Sequence, residues 1–393
     1  MTDGNGASAR AWPTRRGGYD AIASTFGADR ADLAQWALTT GDPLMDAVVD
    51  EIHAGPSQVQ AMLQQGIRGG LASLEKPTPA VRALLEQVEA VPPYVDEAFL
   101  ANEASPFFTT PAPIHMTSLS AGALIRVYAS PSIAAVLSNT GRLVDGAERR
   151  LQETGKWLVT TMIPGALRRG APGYIATLQV RLLHAHMRKA VLRQGYDPAA
   201  HGAPINQVDL ARTWMDFTLT SFVAEAAMGF DLTEQEIAQA YRTWWYVGHL
   251  LGVDARLIEG IASNEQAARM DALLQAVTGP LVPEASALAN ATVGSVAAQL
   301  RNQLRLPVPV GTRLLRALAR RFHGDALADE LGLARHPVAG ALVAAVAGRV
   351  RGRRQALRQA PDRWAANRRS NIDSAKALLA GQNAALFEDH RHG

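Results

Sequence analysis

Cysteine is absent from the 393 residues of the chain. Its absence excludes disulfides, thiolate-bound zinc, iron–sulfur clusters and a cysteine nucleophile. Long apolar runs are also missing, because the longest stretch that is both uncharged and apolar, residues 337–348, is shorter than the ~20 residues that a transmembrane helix needs. No apolar run follows Arg15 and Arg16, so we predict no secretory or twin-arginine signal. We therefore expect a cytoplasmic protein with no transmembrane segment.

Charge is sparse, at 19% of residues against 48% hydrophobic residues, and the formal net charge is +3. This balance is typical of a globular protein. Residues 349–369 concentrate eight arginines against one acid, Asp362. Such a run is either a solvated helix face or a contact for a phosphate, a propionate or a membrane surface. Only Trp364 lies nearby for base stacking, so we expect no nucleic acid partner, while peripheral membrane contact stays open.

Apolar residues recur at helical spacing along most of the chain, and no segment alternates convincingly as a strand would. Asp145, Asn206 and Thr233 are predicted N-caps, and Glu236 completes a capping box with Thr233. We predict an all-α protein with a flexible N-terminal arm over residues 1–25 and a single large helical domain over residues 26–393. Predicted helices cover residues 31–40, 43–54, 57–67, 79–91, 95–104, 114–128, 145–162, 174–194, 207–229, 234–252, 263–278, 283–304, 311–331, 336–352 and 361–382.

Two histidines lie close together in the predicted helix over residues 174–194. Val180, His184, Met187 and Val191 share one stripe, which is apolar apart from the histidine. His186 falls on a mixed, partly solvated face. An inward neutral imidazole is either a core histidine with a satisfied hydrogen bond or a haem-iron ligand, and both interpretations remain open.

Arg181 and Arg188 flank His184 at positions i−3 and i+4. They are either solvated charges or partners for haem propionates. A zinc site formed by His184 and His186 is disfavoured, because the two rings diverge on a helix and no nearby carboxylate or cysteine completes the ligand set.

A second polar cluster lies upstream, in the predicted helix over residues 145–162. Arg150, Glu153, Thr154 and Trp157 occupy positions i, i+3, i+4 and i+7, so they share one face. This cluster is either a surface ion pair or, if buried, a polar group that holds dioxygen or moves a proton in an apolar cavity.

Sequence motifs of the common catalytic sites are absent. The chain contains no nucleophile elbow, phosphate-binding loop, dinucleotide fingerprint, H-E-x-x-H zinc motif or EF-hand loop. A bound cofactor is therefore the favoured source of difficult chemistry.

The two polar clusters together carry a family resemblance. Residues 150–154 (RLQET), followed by residues 180–188 (VRLLHAHMR), resemble the latex-clearing or rubber oxygenases and their relatives, which include the membrane-associated oxygenase of mycophenolic acid biosynthesis. Residues 204–209 (PINQVD) and 41–44 (GDPL) resemble further family segments. The likeness extends over roughly residues 41–380 and is concentrated in residues 141–230.

The resemblance implies a globin-like core that binds haem b, surrounded by additional helices. His184 then matches the proximal iron ligand, and Arg150 and Thr154 match distal residues that help to hold dioxygen. The implied reaction is dioxygenase cleavage of a C=C bond to two carbonyl ends.

Glu153 departs from the family pattern, because rubber-cleaving members have a lysine at this position. A carboxylate accepts a proton or holds a water instead. With no export signal predicted, we expect a small isoprenoid or other alkenyl lipid rather than rubber. The alternatives are a non-catalytic lipid-binding protein whose arginine-rich helices (residues 349–382) dock at a membrane, and a haem sensor or carrier on the same fold.

Overall fold

The structure, a computed structural model, describes residues 12–55, 58–139, 147–281 and 283–380. The first ten α-helices run along the chain from residue 19 to the helix that carries the Arg150 cluster. They are α1 (Tyr19–Phe26), α2 (Ala28–Thr39), α3 (Pro43–Ala54), α4 (Gln58–Gly69), α5 (Pro79–Glu89), α6 (Glu97–Asn102), α7 (Ala112–Thr117), α8 (Ile125–Tyr128), α9 (Pro131–Asn139) and α10 (Ala147–Met162).

The second set begins with the helix that carries His184 and runs to the last described residue. It consists of α11 (Pro172–Arg193), α12 (Pro198–His201), α13 (Gln207–Met215), α14 (Ser221–Ala227), α15 (Glu234–Leu251), α16 (Ala255–Ile258), α17 (Asn264–Thr278), α18 (Pro283–Leu304), α19 (Val308–Glu330), α20 (Pro337–Arg358) and α21 (Pro361–Ala380). Short 3₁₀ helices cover Leu71–Ser73 and Ser105–Thr109. No strand occurs in the described ranges, which confirms the predicted all-α class.

Two segments are π-helical: Ser118–Leu124 joins α7 to α8, and Asp216–Thr220 joins α13 to α14. Each falls inside a region that the sequence predicted as one regular helix. A π-helix inserts an extra residue into the turn and is often found at functional sites. A further break lies inside α19 at Gly324, where the backbone leaves the helical region at φ 78°.

Helix ends follow local capping chemistry. The Asn206 side chain accepts from the amide of Asp209, and Thr233 forms the predicted capping box with Glu236. Both predicted N-caps are therefore confirmed, whereas Asp145 lies outside the described residues.

The predicted N-terminal arm needs correction over residues 12–25. Most of this segment belongs to α1 or packs against the domain, and Arg16 is only 6% exposed. The Arg16 guanidinium pairs with Asp209 at 3.2 Å and donates to the carbonyl of His201. Apolar contacts add to this ion pair, because Ile22 of α1 belongs to the larger apolar cluster of the core and Trp12 packs against that cluster.

The core divides into two main apolar clusters, and α10 contributes to both. Trp157 and Leu158 belong to the larger cluster, which α2–α5, α11, α13, α15 and α17 complete. Leu151 belongs to the second, which lies among α14, α18, α19 and the first π-helix. In the described part of the chain no helix combines the length and apolar character that crossing a membrane requires.

The arginine-rich helix α20 turns one of its faces toward the domain. Arg351 pairs with Asp231 at 2.7 Å, and Arg358 pairs with Glu236 at 2.5 Å. Arg354 lies between them, is 8% exposed and stacks over the rings of Phe230 and Trp364. These three arginines therefore fix the C-terminal helices to the domain and are not a solvated face.

The close contact between α10 and α11 depends on Gly173. A Cβ atom on this residue would lie 2.9 Å from Cα of Thr161 and 2.9 Å from the carbonyl oxygen of Ala166. We expect Gly173→Ala to destabilise the fold by about 1–3 kcal/mol, because both neighbours are backbone atoms that must shift. Gly348→Ala is the matched control in α20, where nothing lies within 4 Å of the new methyl group. It should stabilise by roughly 0.5–1 kcal/mol. Urea unfolding measures the free energy of unfolding of both variants. Equal effects would show that Gly173 is not required for the close contact between α10 and α11.

Candidate functional site

A buried ion pair fixes α11 within the core. Arg181 is 2% exposed and binds both carboxylate oxygens of Asp42, at 2.6 and 2.9 Å. Its Nη1 donates to Gln87 at 2.7 Å and to the carbonyl of Leu250. Burial alone would raise the pKa of Asp42, but the adjacent Arg181 charge and hydrogen bonds hold it below its usual value. The donor nitrogens of Arg181 are therefore already bound to protein acceptors.

Arg188 lies two turns further along α11 and has fewer hydrogen-bond partners than Arg181. Its Nε donates to Asp46 at 2.7 Å, and its Nη1 donates to the carbonyl of Ile205 at 3.4 Å. Nη2 is buried, and no acceptor for it exists among the described residues. This guanidinium therefore keeps one donor for a further anionic or carbonyl group.

His184 lies between the two arginines on α11. Burial, and then the positive charge of Arg188, lower the pKa of His184 to about 4, against an opposing effect of Asp42. Its imidazole is therefore neutral at neutral pH. The Nδ1 atom is buried, and no hydrogen-bond partner for it occurs in the described ranges. A neutral ring with an uncommitted nitrogen has the chemistry of a metal ligand. His186, by contrast, lies against the exposed His53 of α3, with ring centroids 5.6 Å apart.

α10 and α11 form a hairpin whose contacts lie near the turn. Trp157 Nε1 donates to Thr177 Oγ1 at 3.3 Å, and the hydroxyls of Thr161 and Thr177 are 3.4 Å apart. Thr154 precedes Thr161 by seven residues, and His184 follows Thr177 by seven (161 − 154 = 184 − 177 = 7). Seven residues are nearly two helical turns, about 10.5 Å. Thr154 therefore lies on the same face of α10 as Thr161, and His184 lies on the same face of α11 as Thr177. The hairpin register therefore places Thr154 and His184 at the same level.

The three predicted distal residues of α10 are Arg150, Glu153 and Thr154, and their surroundings differ from one another. Glu153 forms an ion pair with the exposed Arg149 at 2.7 Å, one turn back along α10. The side chain of Arg150 lies outside what the structure describes, although its backbone belongs to α10. Thr154 is half-buried. The roles predicted for Arg150, Glu153 and Thr154 stay predictions, and so does the propionate contact predicted for Arg181 and Arg188.

A small cavity of about 30 Å³ lies beside α10, next to Thr154 along the helix. Leu158 and Met162 of α10 line it, and each π-helical region contributes to its wall, through Leu119 and Phe217 respectively. Most of the wall is apolar. Its polar side chains include His115, Ser118 and Glu225.

His115 and Glu225 form a buried pair in this wall, and each is 5% exposed. His115 Nδ1 is 2.7 Å from Glu225 Oε1, and its Nε2 is 2.9 Å from the carbonyl oxygen of Phe107. The Phe107 ring stacks on the imidazole at a centroid distance of 3.7 Å. Ser118 Oγ lies 3.3 Å from the same carboxylate oxygen of Glu225. The imidazole is thus held on both nitrogens and on one face.

This pair is not predicted from the sequence. His115 and Glu225 are separated by 110 residues, and no motif links them. The available signal was weak: each is a lone titratable residue in an otherwise apolar helical stretch, which more often indicates a satisfied core residue than a site.

The fold and the His184 region together define an all-α protein in which α11 carries a neutral, half-buried imidazole with an uncommitted Nδ1 atom. A family model for the catalytic domain of "ER-bound oxygenase mpaB/B'/Rubber oxygenase" matches residues 110–353, which is more than half of the chain. The chain therefore belongs to this oxygenase family. The match includes α10, α11 and most of the residues that line the cavity.

A solved structure agrees with this assignment at the level of the fold. A latex clearing protein, LCP, in its closed state superposes with a TM-score of 0.61 at 22% sequence identity, covering 80% of this chain and 82% of that one. A search of curated protein sequences gave no match.

The Arg181–Asp42 pair should be the most sensitive polar contact of this region. We expect Asp42→Asn to destabilise the protein by about 3 kcal/mol, because it leaves the buried Arg181 charge uncompensated. Asparagine keeps the N-cap that Asp42 provides for α3, so loss of the cap does not contribute.

Arg82→Ala is the matched control for that substitution. Arg82 pairs with Glu86 at 3.9 Å with both side chains about half exposed, and its removal should change stability by less than about 0.5 kcal/mol. Urea unfolding compares the two variants. A small effect of Asp42→Asn would contradict the anchoring role of the pair.

Proposed function

We propose that this protein is a haem b-dependent oxygenase that cleaves a C=C bond of an isoprenoid or other alkenyl hydrophobic substrate with dioxygen. His184 is the proximal iron ligand, and Arg150, Glu153 and Thr154 of α10 lie on the distal side. The observation that carries the proposal is the neutral imidazole of His184, whose Nδ1 is buried and has no partner among the described residues. The family match over this region supports it.

The surroundings of His184 fit a haem group. Arg188 keeps a buried donor, Nη2, with no acceptor in the described chain, and it lies close enough to lower the pKa of His184. Arg188 is therefore our first choice for a propionate contact. Arg181 is a weaker choice, because Asp42, Gln87 and Leu250 already accept its hydrogen bonds. We assign Arg181 the role of holding α11 in place.

The α10 residues fit the opposite side of the haem. The hairpin register that puts Thr154 level with His184 supports a position across the cofactor from the ligand. A threonine hydroxyl there would be a hydrogen-bond donor on the distal side of the cofactor, and the carboxylate of Glu153, now paired with Arg149, would be a proton acceptor there. The apolar core around Trp157 excludes water from the reaction.

When bound, haem iron supplies the activation of dioxygen that no side chain of this chain can provide. In the proposed reaction the C=C bond is broken, and each carbon receives one oxygen atom as a carbonyl. The cytoplasmic location and the possible contact with a membrane surface remain part of this proposal.

Haem binding is tested by absorption spectroscopy of the protein purified from haem-supplemented cells. We expect a strong Soret band that His184→Ala abolishes or greatly reduces. His186→Ala is the matched control and should keep the band, because this ring lies against His53. Circular dichroism establishes that both variants are folded. A wild-type protein that stays colourless after haem addition would contradict the proposal and favour the non-catalytic lipid-binding alternative.

The reaction is tested with squalene and isotopically labelled dioxygen. We expect carbonyl products in which both new ends carry one labelled oxygen, measured by mass spectrometry after immediate reduction to alcohols, which stops exchange with water. Thr154→Val should lower the rate by about tenfold to a hundredfold, as expected for loss of one hydrogen bond to a developing negative charge. A haem-bound protein that forms no product with any alkenyl lipid would instead indicate a haem sensor or carrier.

A further inference from the structure

We propose that the cavity beside α10 binds an apolar alcohol, whose hydroxyl group donates a hydrogen bond to Glu225 while His115 positions that carboxylate. The site is distinct from the proposed haem contacts of His184 and Arg188. The inference does not depend on haem, since it rests on the cavity and on the His115–Glu225 pair.

The protonation of the pair follows from its two hydrogen bonds. A carbonyl oxygen only accepts, so Nε2 of His115 carries a proton and donates it to Phe107. Nδ1 and Glu225 Oε1 then share one further proton at 2.7 Å. With that proton on the ring, the pair is an imidazolium and a carboxylate. With it on Glu225, both groups are neutral. The pair as a whole carries no net charge in either state.

Oxygen Oε2 of Glu225 is available to accept a hydrogen bond from a ligand. Ser118 and His115 both interact with Oε1, and no described residue forms a hydrogen bond with Oε2. Because Glu225 lines the cavity, a ligand there meets an oxygen that accepts a hydrogen bond. The polar group of the ligand must therefore donate.

The charges around the pair exclude ionic ligands. A carboxylate ligand has no hydrogen to donate to Oε2 of Glu225, so its oxygens would face another acceptor. A cation would gain little from a pair without net charge, and it would meet the positive charge of Arg354, which interacts with Glu225 and is only 8% exposed. A neutral hydroxyl group meets neither penalty.

The rest of the wall specifies an apolar body for the ligand. Apolar side chains surround the polar group, among them Leu119, Leu158, Met162, Phe217, Phe222 and Trp244. An apolar cavity with a few converging polar groups is the usual form of a small-molecule site. Met is flexible, so Met162 can move to admit a ligand larger than the present space.

The position of the cavity connects it to the rest of the molecule. Leu158 follows Thr154 by one turn of α10, so the cavity and the proposed distal surface lie on adjacent parts of the same helix. Both π-helical regions contribute residues to its wall. An alcohol bound here would therefore contact the segments where the helices depart from regular geometry.

The test compares two ligands that differ in one hydrogen-bond donor. 1-Butanol and its methyl ether, which are small and contain no C=C bond, are titrated into the full-length protein, as purified, by isothermal titration calorimetry. We expect 1-butanol to bind about tenfold to a hundredfold more tightly than the ether, which is the range for a hydrogen bond to a charged group. This comparison uses only wild-type protein, so misfolding of a variant does not affect it.

Two carboxylate variants locate the effect within the cavity. Glu225→Gln should reduce the preference for the alcohol by about fivefold or more, because a neutral amide oxygen is a weaker acceptor than a carboxylate. Glu103→Gln is the matched control, since Glu103 lines the same cavity but is paired with Arg242. It should leave the preference unchanged.

Several outcomes would overturn the proposal. These are equal affinity for the two ligands, no binding of either, a preference that survives Glu225→Gln, and a preference that Glu103→Gln removes instead. Failure of haem binding or of alkene cleavage would leave the alcohol preference intact, so the two proposals fail independently.

Discussion

The buried ion pair between Arg181 and Asp42 is the constraint on which the candidate site depends. It joins the middle of α11 to the first turn of α3, and the remaining donors of Arg181 reach α5 and the end of α15. Charges this deeply buried are tolerated only when they are fully paired. The same contact holds α11, and with it His184, against the rest of the core. The ligand chemistry proposed for His184 is thus a consequence of how its helix is anchored.

α10 has the second organising role. It contributes Trp157 and Leu158 to the larger apolar cluster and Leu151 to the other. One part of its surface carries Thr154, level with His184 in the hairpin, and the next part lines the cavity that contains Glu225. Because α10 contributes to both, the packing around His184 and the packing around the cavity depend on the same helix. If both proposals hold, ligand binding in the cavity and chemistry at the haem involve the same helix.

Much of the fold could be predicted from the sequence, because helix periodicity and capping are local signals. The predicted helix over residues 43–54 coincides with α3. The candidate site was only partly predictable. His184 stands out as a lone polar residue on an apolar stripe, but the partners of Arg181 lie 139 and 94 residues away. The π-helices, the Arg16–Asp209 pair and the His115–Glu225 pair were missed for the same reason, since each depends on tertiary contacts that no local pattern records.

We propose that His184 of α11 would bind the iron of a bound haem. Electron paramagnetic resonance of the nitric oxide adduct of the reduced protein, prepared with ordinary and with nitrogen-15-labelled histidine, tests this role of His184. We expect a splitting from a histidine nitrogen that changes with the label and disappears in His184→Ala. A spectrum without this splitting, or one that His184→Ala leaves unchanged, would show that His184 does not bind the iron.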